Sequence, residues 1–146
     1  MDFAAWRARG GRIDPGQLDE VWAGLEAVRA EDILGAWRGS EFDTGHPLNG
    51  TLARAGWHGK TFVSLADAKP LICRGADGEL YSNQELGNGE ATLWNIEFRG
   101  EVTATMVYDG RPVFDHFKRV DDDTLMGIMN VKQNGGLFYY FILDRD

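Results

Sequence analysis

A chain of 146 residues is one domain's worth, large enough to bury a core without disulfide or metal staples. Its 23 acidic and 15 basic residues give a formal charge of −8, which repels phosphate backbones and anionic lipid surfaces and excludes nucleic acid as an expected partner. Cys73 stands alone, so thiolates supply neither an internal disulfide nor a zinc or iron–sulfur cluster, and a cytoplasmic setting is expected.

The N-terminus, Met1-Asp2-Phe3-Ala4-Ala5-Trp6-Arg7, has neither a basic leader nor an apolar run, and no stretch approaches the length of a membrane span. A soluble, unprocessed protein is expected. Met1 to Arg9 reads as a short helix with Phe3 and Trp6 on one side, ended by Gly10-Gly11. Asp14-Pro15-Gly16-Gln17 is a stronger start, with Asp14 as cap, Pro15 in the first helical position and Gln17 placed for a capping box. Leu18, Val21, Trp22, Leu25 and Val28 follow at helical spacing, which predicts an amphipathic helix of about four turns. Such a stripe most often packs on its own domain; a lid over a barrel mouth or a homodimer contact are the other uses for it.

From Gly35 the hydrophobic period changes to two. Strands are predicted over Gly35–Gly39, Ala53–His58, Thr61–Leu65, Lys69–Arg74, Leu80–Ser82, Ala91–Arg99, Val102–Tyr108, Pro112–Val120, Thr124–Val131 and Leu137–Leu143. Turn signals at Asp77-Gly78, Gly100, Asp109-Gly110, Asp121-Asp122-Asp123 and Asn134-Gly135-Gly136 separate them, and Asn83 to Gly89 reads as a surface loop. Short connections make an antiparallel meander, and closure removes its exposed edges. The fold expected is mainly β: a single closed antiparallel barrel of about eight to ten strands over residues 35–146, with a helical segment, residues 1–34, packed on or capping it. Trp37, held between Gly35 and Gly39, would be its floor.

Within Val102–Tyr108, Val102, Ala104, Met106 and Tyr108 share one face. Within the following strand, Val113, Asp115, Phe117 and Arg119 oppose Phe114, His116, Lys118 and Val120. Neither strand has a cleanly polar face, as expected where one wall packs on protein and the other lines a cavity.

The motif Gly35-Ala36-Trp37-Arg38-Gly39 resembles the opening of the bacterial and fungal family named for Gly-x-Trp-x-Gly, whose members carry a C-terminal domain of unknown function. The similarity continues through Gly56-Trp57-His58-Gly59-Lys60-Thr61-Phe62, Lys69-Pro70-Leu71, Met106 to Phe117, and Tyr140-Phe141-Ile142-Leu143. The resemblance implies a small calycin-like barrel, similar to lipocalins and fatty-acid-binding proteins, and no established reaction. It also implies that a basic residue near the end of the last strand packs over the motif tryptophan, which here gives Arg145 on Trp37 as a cation–π contact. Gly35, Trp37, Gly39 and Arg145 are thus expected to be structural.

Function is expected further along. A lysine inside a barrel would lose pKa by desolvation or pair with a carboxylate, and Lys60 lies within the second motif. Asp115 shares its face with Val113 and Phe117 and would need a partner there, for which Lys60, Arg111 or a tyrosine are candidates. His116 falls on the opposite face of a regular strand, so Asp115 and His116 should not form a dyad. The candidate acid–base groups are Lys60, Asp115, His116 and Tyr108; the candidate ligand-lining residues are Trp57, Lys60, Phe62, Met106, Tyr108, Asp115, Phe117 and Tyr140. His46, His58 and His116 lack the spacing of a zinc site, and no phosphate loop or serine elbow is present.

The leading expectation is a binding module for a hydrophobic or amphipathic small molecule, a lipid or an aromatic compound, with no cofactor. The alternatives are a cofactor-independent lyase, isomerase or decarboxylase, and a haem-binding barrel, because another barrel group shares the Gly-x-Trp-x-Gly opening and one of the histidines could be an axial ligand.

Overall fold

A computed structural model describes residues 1–146. Two helices lead the chain: α1 (Phe3–Arg9), capped by the Asp2 carboxylate on the Ala5 N–H, and α2 (Pro15–Gly24), capped by Asp14 on the Gly16 N–H. α2 is shorter than its apolar periodicity suggests. Gly24 is its last residue, and the chain then extends into β1 (Glu26–Ala27), so Val28 is not helical. A single 3₁₀ turn at Ala30–Asp32 precedes β2 (Gly35–Glu41).

The predicted strand at Ala53–His58 is instead a helical turn, α3 (Thr51–Arg54), followed by one continuous strand, β3 (Trp57–Ser64). Gly56, at φ 78°, makes the corner that separates them. The remaining elements are β4 (Asp67–Arg74), β5 (Leu80–Ser82), α4 (Gln84–Gly87), β6 (Ala91–Phe98), β7 (Glu101–Tyr108), β8 (Val113–Asp121), β9 (Thr124–Val131) and β10 (Tyr139–Arg145). The strands form one antiparallel sheet of ten, in which β8, β7, β6, β4, β3, β2, β10 and β9 close into a ring of eight through the β8–β9 pairing. The weakest join is β4 to β6, a single bridge between Ala68 and Ala91. β5, on the free stretch of β4, and α4 fill the opening that results.

Two cores follow from this closure. Inside the ring lie Trp37, Phe62, Leu93, Ala104, Met106, Phe117, Leu125 and Leu143, with Ala30 and Ile33 plugging the end. Outside it, Leu18, Val21 and Trp22 of α2 and Phe3 of α1 bury Met126, Ile128, Tyr140 and Ile142 on the outer face of β9 and β10. The stripe of α2 is thus spent on the barrel wall. Arg7 fixes α1 to β10 through a two-point contact with Asp144, whose carboxyl is held below its usual range chiefly by that hydrogen bond.

The Gly35–Gly39 motif closes the lower end. The Trp37 indole is buried, its N–H donates to the Ile33 carbonyl at 2.9 Å, and the Arg145 guanidinium lies 4.0 Å from its ring centroid. Both glycines are seats for other side chains. A Cβ on Gly35, already at φ 122°, would sit 2.7 Å from Arg145 Nη1, and one on Gly39 would sit 2.1 Å from the Trp57 ring.

Gly59 of β3 is tighter still, since a Cβ there would come within 1.8 Å of the Trp37 carbonyl oxygen, a backbone atom with nowhere to go. Gly59→Ala is therefore expected to force β2 and β3 apart and destabilise the protein by about 3 kcal/mol or more, at or beyond the upper end of ordinary overpacking. Urea denaturation of the variant checks this; an unchanged midpoint would refute the close approach.

Candidate functional site

Strand alternation sorts the interior into levels. On β8, Val113, Asp115, Phe117 and Arg119 point inward from top to bottom, and on β10 Tyr139, Phe141, Leu143 and Arg145 do the same. Phe117 and Leu143 belong to the filled core. Above them the barrel is open, with a cavity of about 310 Å³ that is mostly apolar: 11 of its 15 lining residues are hydrophobic. Trp57, Leu71, Val113, Met129 and Phe141 form its walls, while Leu48 before α3, Leu52 within it and Leu86 of α4 reach it from the upper rim.

At the boundary between the filled and open levels, Lys60 Nζ meets Asp115 Oδ2 at 3.0 Å, with the two side chains only 3% and 2% exposed. β3 and β8 stand opposite one another in the ring, so this ion pair crosses the barrel from wall to wall. The ammonium also donates to the Pro70 carbonyl at 3.3 Å and is surrounded by the rings of Phe141, Trp57 and Tyr108, at 5.2, 5.5 and 5.9 Å from their centroids. Burial pushes the Asp115 carboxyl above its usual pKa, against the pull of Lys60. Its second oxygen, Oδ1, is buried without a hydrogen-bond partner, as is the Tyr139 hydroxyl. Burial raises the pKa of Tyr108, with the Asp115 charge adding to it, and raises that of Tyr139, with Glu41 adding to it. Both phenols therefore keep their protons at neutral pH.

Of the residues singled out from sequence, Trp57, Lys60, Tyr108 and Asp115 line this cavity together. Trp57 and Lys60, three apart, would face opposite ways on a regular strand; register shifts in the β3–β4 pairing around Gly59 bring both inward. Phe62, Met106 and Phe117 lie inside the barrel but in the packed level, away from the cavity lining.

His116 and Tyr140 are corrections. His116 points outward, where its ring stacks on Phe98 at 3.8 Å, contacts the Thr105 hydroxyl at 2.9 Å through Nδ1 and faces the Asn130 amide through Nε2. It cannot reach a ligand in the barrel. Tyr140 also faces the helical layer and donates to Asp19 at 2.6 Å; its neighbour Tyr139 takes the place in the cavity. His46 and His58 do not line the cavity either. Arg111, a candidate partner for Asp115, lies at the cavity rim and donates to the Leu86 carbonyl instead; Leu71, Val113, Met129, Val131 and Phe141, which also line the cavity, are apolar strand positions that no sequence signal marks for a ligand role. The signal for the inward face of β10 is Arg145: once it is placed over Trp37, alternation turns Leu143, Phe141 and Tyr139 inward.

The family model described as GXWXG protein matches residues 20–78, and that for a domain of unknown function, DUF4334, matches residues 89–145. Among solved structures, the crystal structure of a protein from Thermomonospora curvata is similar with a TM-score of 0.89 and 39% identity, covering 98% of this chain and 95% of that one. No protein of curated function matches significantly.

Two outcomes follow from the site's charges. Lys60→Met and Asp115→Leu should each cost about 3–5 kcal/mol by stranding the other charge, whereas the double variant should recover most of that loss, because an apolar pair can replace a buried ion pair at little cost. A double-mutant cycle by urea denaturation checks it, and strict additivity would mean that the two groups do not interact. His116 is held neutral by burial and by the Arg99 charge, its pKa lowered to about 4. An unfolded chain takes up that proton near pH 6.5, so stability should fall as the pH drops from about 6.5 to about 4. Melting temperature against pH should show this loss in the wild type and a flatter profile over that window in His116→Gln.

Proposed function

The chain belongs to the GXWXG protein family, with a DUF4334 domain as its C-terminal part, and for it we propose the binding of a compact hydrophobic or amphipathic small molecule, aromatic or short-chain, inside the barrel. The observation that carries this reading is the cavity above the Lys60–Asp115 pair, apolar on its walls and polar at its floor. That division suits a ligand with an apolar body and one polar end. The volume lies at the lower end of the range of about 300–1,000 Å³ for small-molecule sites, which favours a single aromatic ring or a short chain over a long-chain lipid.

A second reading, cofactor-independent acid–base catalysis on the same ligand, draws on Asp115, whose carboxyl is made more basic by burial and lies near the Tyr108 and Tyr139 phenols. With His116 turned outward, Asp115 is the base in that reading and Lys60 the charge that tempers it. Haem gains no support, because no histidine lines the cavity to serve as axial ligand.

Ethylbenzene, an apolar probe of suitable size, should bind the wild type and raise its melting temperature; a ligand at 100 times its dissociation constant adds about 2.7 kcal/mol. Met129→Trp and Leu52→Trp fill the cavity from β9 and from α3, and each should abolish the shift. An unaltered melting temperature for the wild type, or an equal shift in both filled variants, would overturn the cavity as the binding site.

A further inference from the structure

The cavity has an electrostatic and hydrogen-bonding asymmetry that narrows the chemistry of its occupant. Lys60 has spent its charge on Asp115 Oδ2 and another N–H on the Pro70 carbonyl, and aromatic rings cover much of its surroundings. The pair is therefore neutral as a unit. What it leaves over is an acceptor, Asp115 Oδ1, and the Tyr139 hydroxyl, both on residues that are 2% exposed and line the cavity. The third unpartnered buried atom, Trp22 Nε1, belongs to the helical layer outside the ring. Buried polar atoms without partners are unfavourable, and a ligand that completes them is selected over one that cannot.

Resting on the proposed binding reading, we infer that the ligand is an uncharged hydroxyl compound, an alcohol or phenol on an aromatic or short aliphatic body, whose O–H donates to Asp115 Oδ1 and for which Tyr139 offers a further hydrogen bond. A carboxylate has no proton for Oδ1 and would bring a second negative charge beside it, in a site of low dielectric where the balancing cation is already engaged. A primary ammonium would supply the donor but would add its charge to that of Lys60. A hydroxyl donates and accepts without altering the charge of the site. Arg111, the other cation of the lining, is exposed at the rim and donates to the Leu86 carbonyl at 2.7 Å, above the level at which the polar end is held.

The test is calorimetric titration with three probes of one skeleton at pH 7: 2-phenylethanol, phenylacetate and ethylbenzene. The alcohol should bind at least about tenfold more tightly than the carboxylate, the scale of an acceptor left unpaired against one satisfied. Tyr139→Phe removes the hydroxyl, which lies toward the Glu41 carboxylate without a full hydrogen bond to it, so the variant should bind ethylbenzene as the wild type does while its preference for 2-phenylethanol over ethylbenzene falls by about tenfold. Phenylacetate binding as tightly as the alcohol, or a Tyr139→Phe variant with an undiminished preference, would overturn the hydroxyl assignment while ethylbenzene binding still upheld the cavity. Failure of all three probes would overturn the parent reading as well.

Discussion

The ion pair between Lys60 and Asp115 is the crossbar on which the interior is arranged. It joins strands four places apart around the ring in either direction, and it falls where the interior changes from packed side chains to open space. Below it Phe62 tilts against Phe117 and Phe117 meets Phe141 edge-on, a filled aromatic core of the usual kind. The pair is poorly explained as a source of stability. Taking two charges out of water costs several kcal/mol for each, and well-packed apolar residues in their place are often neutral or stabilising by about 1–4 kcal/mol. A protein that needed only a barrel core would do as well with leucine and methionine there. What the pair supplies that they could not is a polar floor under an apolar cavity, with one carboxylate oxygen still free to accept.

The Gly-x-Trp-x-Gly motif serves this arrangement from below and from the side. Reading it as a closure device accounts for Trp37 and for Gly35, which makes room for Arg145, but leaves the second glycine unexplained. Gly39 is where the Trp57 ring lies, and Trp57 is both a wall of the cavity and one face of the cage around the Lys60 ammonium. Gly59 in turn lets the backbone of β3 come against Trp37 and accompanies the register shift that turns Trp57 and Lys60 to the same side. The motif tryptophan closes one end of the barrel, and the motif glycines set the distance at which the neighbouring strand can present its two cavity residues.

Much of this was legible in the sequence, and the failures have specific physical causes. Period-two alternation and glycine turns gave the strands from Lys69 onward to within a few residues, and Asp115 and His116 fall on opposite faces as a regular strand requires. The mixed polarity of the strand carrying them has a cause that alternation alone does not distinguish: its inner face meets the core and cavity, while on its outer face Phe98 covers His116 and Trp22 of α2 covers Lys118, so only Phe114 of that face is left exposed. Lys118 shows the point, fully buried outside the ring with its ammonium donating to the Trp22 carbonyl at the end of α2 and paired with Glu101. The turn at Thr51–Arg54 was misread because Ala53–His58 alternates well enough for a strand while the positive φ at Gly56 breaks it. The inward turn of both Trp57 and Lys60 depends on an irregularity in pairing with β4, which no local pattern in β3 encodes.

The two matched family segments acquire a physical meaning from the same geometry. Residues 20–78 supply β2, β3 and β4, and with them Trp37, Trp57, Lys60 and Leu71; residues 89–145 supply β6 to β10, and with them Tyr108, Asp115, Met129, Tyr139 and Phe141. Neither segment closes a ring. The first has three of the eight strands and the cation of the crossbar; the second has the other five and the carboxylate. Each alone would carry a buried charge without its partner and a sheet with open edges, both of which are strongly unfavourable. The division is one of sequence description, and the folding unit spans both parts. The join with the fewest hydrogen bonds between the two, β4 to β6, is also where β5 and α4 bring Leu86 to the cavity's upper rim. Five paired residues hold β2 to β10 on one side, against a single bridge between β4 and β6 on the other, so the two family segments are joined firmly along one seam and loosely along the other.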